Sequence, residues 1–178
     1  FKWEPMYQDT YNTPASDGMA AQNWRDFWNG VFGANLAIDR IQKFEGEIDQ
    51  NRKDRLLGEA YFLRALNYLH LSMLFGETIP LINKPVETND DYYPGNAQAG
   101  AVYALIVDDF KRASELLPTR AALYADSKMI GRATKGAAQA YLAKTYLYKP
   151  ILAKGQAADF ANAEIQLKSV IDSKEYQL

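Results

Sequence analysis

The side chains best suited to chemistry in this chain are aromatic rings lying outside its helical patterns. Trp3, Tyr7 and Tyr11 precede the first helix, in company with Gln8, Asp9 and Asn12. Tyr92 and Tyr93 stand beside Pro94-Gly95 in a long polar stretch. A flat ring offers an apolar platform with an electron-rich face, and neighbouring amides and carboxyls satisfy hydroxyl groups. That combination suits a sugar ring, whose C–H face is apolar and whose edge is polar. These five aromatics are therefore the candidate ligand-binding residues. The competing reading is that they pack onto the first helix or fold back on their own loop. Trp24 and Trp28 lie four apart on a helical pattern and are assigned to the core.

Other chemistries have less to work with. The only histidine, His70, sits inside an apolar run with no nucleophile nearby in sequence, and reads as a core or groove residue. Asp108-Asp109 lie on a helix, where adjacent residues diverge by about 100°, so the two do not readily grip one ion. Asn89-Asp90-Asp91 lacks the spaced acidic ligands of a calcium loop. Both groups read as solvated surface. H-E-x-x-H, Walker and G-x-G-x-x-G patterns are absent. The expectation is a protein without catalytic residues, metal or cofactor.

The elements that must position the loop aromatics are helices. Pro5, Pro14 and Asp17-Gly18 make residues 1–19 an extended, turn-rich segment. The periodicity predicts helices over about 19–44, 54–75, 100–117, 131–148 and 157–173. Gly76, Pro118 and Pro150 serve as stops, and Glu47 to Arg55 is a charged connection. Asn35 interrupts the apolar face of the first helix. Thr78 to Ile82 reads as a short extended piece before the loop from Asn83 to Gln98, and loops of that length are usually functional or mobile.

The helices repeat. Gly58-x-Ala60-x-x-x-x-Ala65-x-x-Tyr68-Leu69 returns as Gly136-x-Ala138-x-x-x-x-Ala143-x-x-Tyr146-Leu147, and Phe110-x-x-Ala113 returns as Phe160-x-x-Ala163. Self-similarity of this kind marks stacked helix pairs, each unable to bury its apolar face alone. The predicted fold is all-α, of tetratricopeptide-like stacked pairs with long loops. Residues 20–178 form the repeat domain, truncated at the C-terminus because the fifth helix lacks a partner.

Composition narrows the partners. A formal net charge of −2 argues against nucleic acid, which calls for clustered positive charge. With no cysteine there is neither a disulfide framework nor thiolate chemistry. No apolar run has the length of a membrane span. The chain opens on Phe1, so targeting and lipidation signals are expected to lie outside it.

The run from Gly58 through Tyr68, continuing as Leu74-Phe75-Gly76-Glu77-Thr78-Ile79-Pro80-Leu81-Ile82, resembles the SusD/RagB family. Four further blocks fit in order: Trp24 to Ile41, Val102 to Pro118, Gly131 to Tyr148, and Asp159 to Leu178. The chain departs from the family's pattern in its shortness and in lacking an arginine and serine across Asn96 to Gly100. The resemblance implies a non-enzymatic surface lipoprotein of Bacteroidetes-type outer membranes. Such a protein captures glycans and delivers them to a TonB-dependent, SusC-like transporter. Peptide import, or a helical scaffold that binds a protein segment, is the alternative. Membrane attachment would come only through a lipid anchor not present in this chain.

Overall fold

The computed structural model describes residues 18–88, 91, 94–152 and 156–176. In chain order, α1 spans Met19–Gln42, α2 Gln50–Phe75, α3 Ala101–Leu116, α4 Arg120–Tyr124, α5 Lys135–Leu152 and α6 Ala157–Asp172. A 3₁₀ turn at Ser127–Met129 separates α4 from α5. No strand occurs among the described residues. An isolated antiparallel bridge joins Pro80 to Asn96, and the Ala97 amide donates to the Ile79 carbonyl at 3.3 Å.

Three helix boundaries differ from expectation. Helix α2 begins at Gln50, because the Asp49 side chain accepts from the Arg52 amide at 2.9 Å and caps it. Arg52 to Arg55 of the expected connection are in fact in the first turns of a helix. Helix α5 begins at Lys135, with Gly131 held outside it at φ 93° and Thr134 Oγ1 accepting from the Ala137 amide at 3.2 Å. It runs past Pro150 to Leu152. Pro150 falls in the last turn, so it has no amide to offer the Tyr146 carbonyl, and the helix stops two residues later. Gly76 ends α2 as expected, at φ 88°, donating to the Ser72 carbonyl at 3.0 Å.

Each long helix leans on the next: α1 on α2, α2 on α3, α3 on α5, and α5 on α6. The core between them holds Tyr68, Tyr103, Ile106, Phe110 and Leu142, all essentially inaccessible. The repeated glycines explain the spacing. A Cβ on Gly58 would lie 2.9 Å from Leu117 Cγ, and one on Gly136 would lie 2.5 Å from Tyr176 Cε2. In each copy, the glycine admits a residue that follows the next helix: Leu117, the C-cap of α3, and Tyr176, four residues past the end of α6. The repeat fails in one respect. Phe110 is fully buried, whereas Phe160 is 52% exposed and shares an open stripe with Leu167 and Ile171. Among the described residues, nothing stands over that side of α6.

Candidate functional site

Helix α1 presents Trp24, Trp28 and Phe32 at four-residue spacing, and they form one wall of a cleft of about 520 Å³. Pro80, Ile82 and Pro94 form the facing wall, and Arg25 and Asn29 line the rim. The volume lies within the range of small-molecule sites. The rings are graded by depth. Trp28 is buried, packed edge-on to Tyr68 at 5.7 Å and tilted against Phe32 at 5.9 Å. Trp24 meets Trp28 edge-on at 5.6 Å and Phe75 at 4.9 Å, and is only partly covered. Phe32 is the open end of the row. The buried Trp28 Nε1 has no hydrogen-bond partner among the described residues. An orphaned donor of this kind carries a desolvation cost of about 1–3 kcal/mol. The cleft thus combines apolar ring surface with an exposed guanidinium and amide.

Behind the cleft lies a buried polar cluster. Arg64 on α2 grips both oxygens of Asp109 on α3, with Nε to Oδ2 at 2.7 Å and Nη2 to Oδ1 at 2.8 Å. Its third nitrogen, Nη1, donates to Asn35 Oδ1 at 2.9 Å and to the Asn83 carbonyl at 3.0 Å. Asn35 Nδ2 in turn donates to the carbonyls of Ile82 at 2.9 Å and Lys84 at 3.2 Å. The Tyr68 hydroxyl donates to the Ile82 carbonyl at 3.0 Å and accepts from the Ile82 amide at 2.7 Å. Burial pushes the Tyr68 phenol up to about 12, so it stays protonated and able to donate. Burial also pushes the Asp109 carboxyl up, against the pull of Arg64.

This corrects the expectation that Asp108-Asp109 are solvated surface. Asp108 is exposed and pairs with Arg112 at 2.8 Å, but Asp109 is completely enclosed. The two point opposite ways, one to water and one to a buried arginine. It also explains why a polar Asn35 interrupts the apolar face of α1.

Asp91 closes the loop beyond. It pairs with Lys84 Nζ at 2.8 Å, and its Oδ2 accepts from the amides of Glu87 at 3.1 Å and Thr88 at 2.9 Å, and from Thr88 Oγ1 at 2.9 Å. Its role is to bracket the loop rather than to present a bare carboxylate to solvent. The Lys84 hydrogen bond, then those from Glu87 and Thr88, hold its carboxyl well below the usual carboxylate range. Its contribution to loop order is present in full above the unfolded pKa of about 3.9 and fades as pH falls below it. A carboxyl-detected NMR titration is expected to show Asp91 still ionised at the pH where ordinary aspartates are half protonated. A midpoint at the ordinary value would remove the bracket.

A family described as starch-binding and associating with the outer membrane matches residues 1–147. The chain belongs to the SusD-like family. The SusD-like protein P38 of Formosa agariphila is 33% identical over 145 residues, covering 79% of this chain and 27% of that protein. A solved laminarin-binding SusD-like protein is 30% identical with a TM-score of 0.70, over 84% of this chain and 29% of the other. A SusD-like carbohydrate-binding protein from Bacteroides fragilis has the same fold, with a TM-score of 0.80 at 21% identity, over 94% of this chain and 30% of that one. This SusD-like chain spans less than a third of the length of these relatives.

On this SusD-like frame the sequence-predicted aromatics fall as follows. Trp3, Tyr7, Tyr11, Tyr92 and Tyr93 all lie outside the described residues. Their neighbours Asp91 and Pro94 bracket Tyr92-Tyr93, and Pro94 lines the cleft. Sequence reasoning saw Trp24, Trp28 and Phe32 only as the apolar face of the first helix and did not single out Arg25 and Asn29. The available signal was an aromatic at three successive helical turns beside exposed polar residues. His70 is half-buried and stacked on Phe27 at 5.1 Å and 22°. Burial, then the Lys144 charge, pushes its pKa down. It is neutral at neutral pH and behaves as a groove residue.

A larger cleft of about 890 Å³ lies between the start of α2 and the end of α3. Several of its polar groups are already engaged. Asp49 and Asp126 cap local turns, and Arg55 and Arg132 share Glu59 at 2.7 and 2.6 Å.

Proposed function

We propose that this chain is the helical N-terminal portion of a non-enzymatic glycan-capture protein of the outer membrane, and that the Trp24–Phe32 cleft is part of its binding surface. The observation that carries this reading is the aromatic row with a polar rim, set on the SusD-like frame. Partly exposed rings give a sugar's C–H face a place to stack, while Arg25 and Asn29 supply donors and an acceptor for hydroxyls. The laminarin-binding relative supports a polysaccharide cargo. In the same reading, Trp3, Tyr7, Tyr11, Tyr92 and Tyr93 add further platforms. The complete protein, held by a lipid anchor outside this chain, passes its cargo to a TonB-dependent, SusC-like transporter.

Affinity electrophoresis of the full-length protein through gels containing laminarin, xyloglucan or starch tests the proposal. One polysaccharide is expected to retard it, and Trp24→Ala is expected to weaken that retardation about tenfold or more, as for an aromatic anchor. Retardation unchanged by Trp24→Ala removes the cleft from the site. Indifference to every polysaccharide together with binding of peptides favours the peptide-import alternative.

A further inference from the structure

We propose that Asp109, Arg64 and Asn35 form a positioning relay that sets the width of the Trp24–Phe32 cleft, although none of the three lines it. The inference rests on the glycan reading of that cleft. One wall is α1, and the other includes Pro80 and Ile82, which have no sheet of their own to hold them. Backbone outside regular structure needs partners for its polar groups, and buried ones are costly to leave bare.

Here the partners come from the helices. Asn35 sits one turn beyond Phe32 on α1 and binds the carbonyls of Ile82 and Lys84, so it ties the two walls together directly. An asparagine amide alone can rotate. Arg64 Nη1 donates to its oxygen at 2.9 Å, which fixes the amide with its nitrogen toward the loop. Arg64 would itself have several rotamers, but the two-pronged grip of Asp109 holds the guanidinium plane. The chain of constraint therefore runs from α3 through α2 to α1 and onto the cleft wall. Tyr68 reinforces it from another side, holding both polar groups of Ile82 while packing on Trp28. A ligand surface whose walls are fixed before binding loses less entropy on binding.

The test uses the full-length protein. Asn35→Ala cuts the tie at the loop end and leaves the Arg64–Asp109 pair in place. Tyr68→Phe attacks the same Ile82 without touching the pair and serves if the first variant folds poorly. Leu142→Ala, a core deletion on α5, controls for general loss of stability. Two readouts are taken: hydrogen exchange of the Ile82, Asn83 and Lys84 amides without glycan, and affinity for laminarin, xyloglucan and starch. Asn35→Ala and Tyr68→Phe are each expected to speed exchange in this segment about tenfold and to weaken the retarding polysaccharide by a similar factor. Leu142→Ala lowers the melting temperature and moves neither.

Unchanged exchange overturns the relay. Faster exchange with unchanged affinity overturns its link to binding. A wild-type protein that binds none of the three polysaccharides overturns the glycan reading and the link to binding, and the exchange result alone then decides the relay. That failure is told apart because the exchange is read without sugar.

Discussion

Arg64→Met is expected to lower the unfolding free energy by about 3–5 kcal/mol, the usual cost of stripping one partner from a buried ion pair. Methionine fills much of the arginine's length but offers Asp109 no charge. Asp109 has no exposure to water, so its carboxylate would be left enclosed and uncompensated. The same change removes the donors to Asn35 and to the Asn83 carbonyl. Chemical denaturation checks it, through a lower midpoint at unchanged slope. The double variant Arg64→Met with Asp109→Leu is expected to recover much of the loss, because an apolar pair of matching volume avoids the desolvation of both ions. A loss below about 1 kcal/mol for Arg64→Met would mean that the pair behaves as a surface pair.

Phe110→Ala is expected to cost a similar amount, about 3–5 kcal/mol, from lost burial and the cavity left behind. The ring is fully enclosed, edge-on to Phe62 at 5.6 Å and stacked with Tyr141 at 5.8 Å. It lies where three helices meet, so neighbours on α2 and α5 cannot both close the gap. Its repeat counterpart behaves differently. Phe160→Ala is expected to fall within about 0.5 kcal/mol of wild type in this 178-residue chain, because the ring is half open to solvent. Thermal unfolding of the two variants side by side gives the comparison. Equal losses would show that Phe160 is covered.

That contrast shows what the sequence could reveal. The pattern around Phe110 and Phe160 is the same, and it correctly gives helix, face and repeat. Burial of the second copy depends on what stands beyond α6, which no local pattern encodes. The helices themselves were legible because apolar spacing and the stops at Gly76 and Pro118 are local. The start of α2 was obscured because charged residues there look like a connection, although the Asp49 cap was a local signal. Asp109 was misread because adjacent charges on a helix usually face water. Its partner lies 45 residues away, and only the packing of α2 on α3 brings the two together. The cleft was half legible. The aromatics of α1 were seen, but spacing alone does not say which ring stays open once the Pro80–Ile82 wall is laid against them.

The bridge between Pro80 and Asn96 has one more effect. It pins the two ends of the intervening segment next to each other, on a foundation supplied by the helices. Lengthening a segment already closed at its base is inexpensive, about 0.6 kcal/mol for each doubling in a flexible chain. Insertions and exchanges beyond Lys84, clear of the carbonyls that Asn35 and Arg64 hold, can therefore accumulate while the helices beneath keep their packing. A lineage built on this plan can vary that segment without rebuilding its frame.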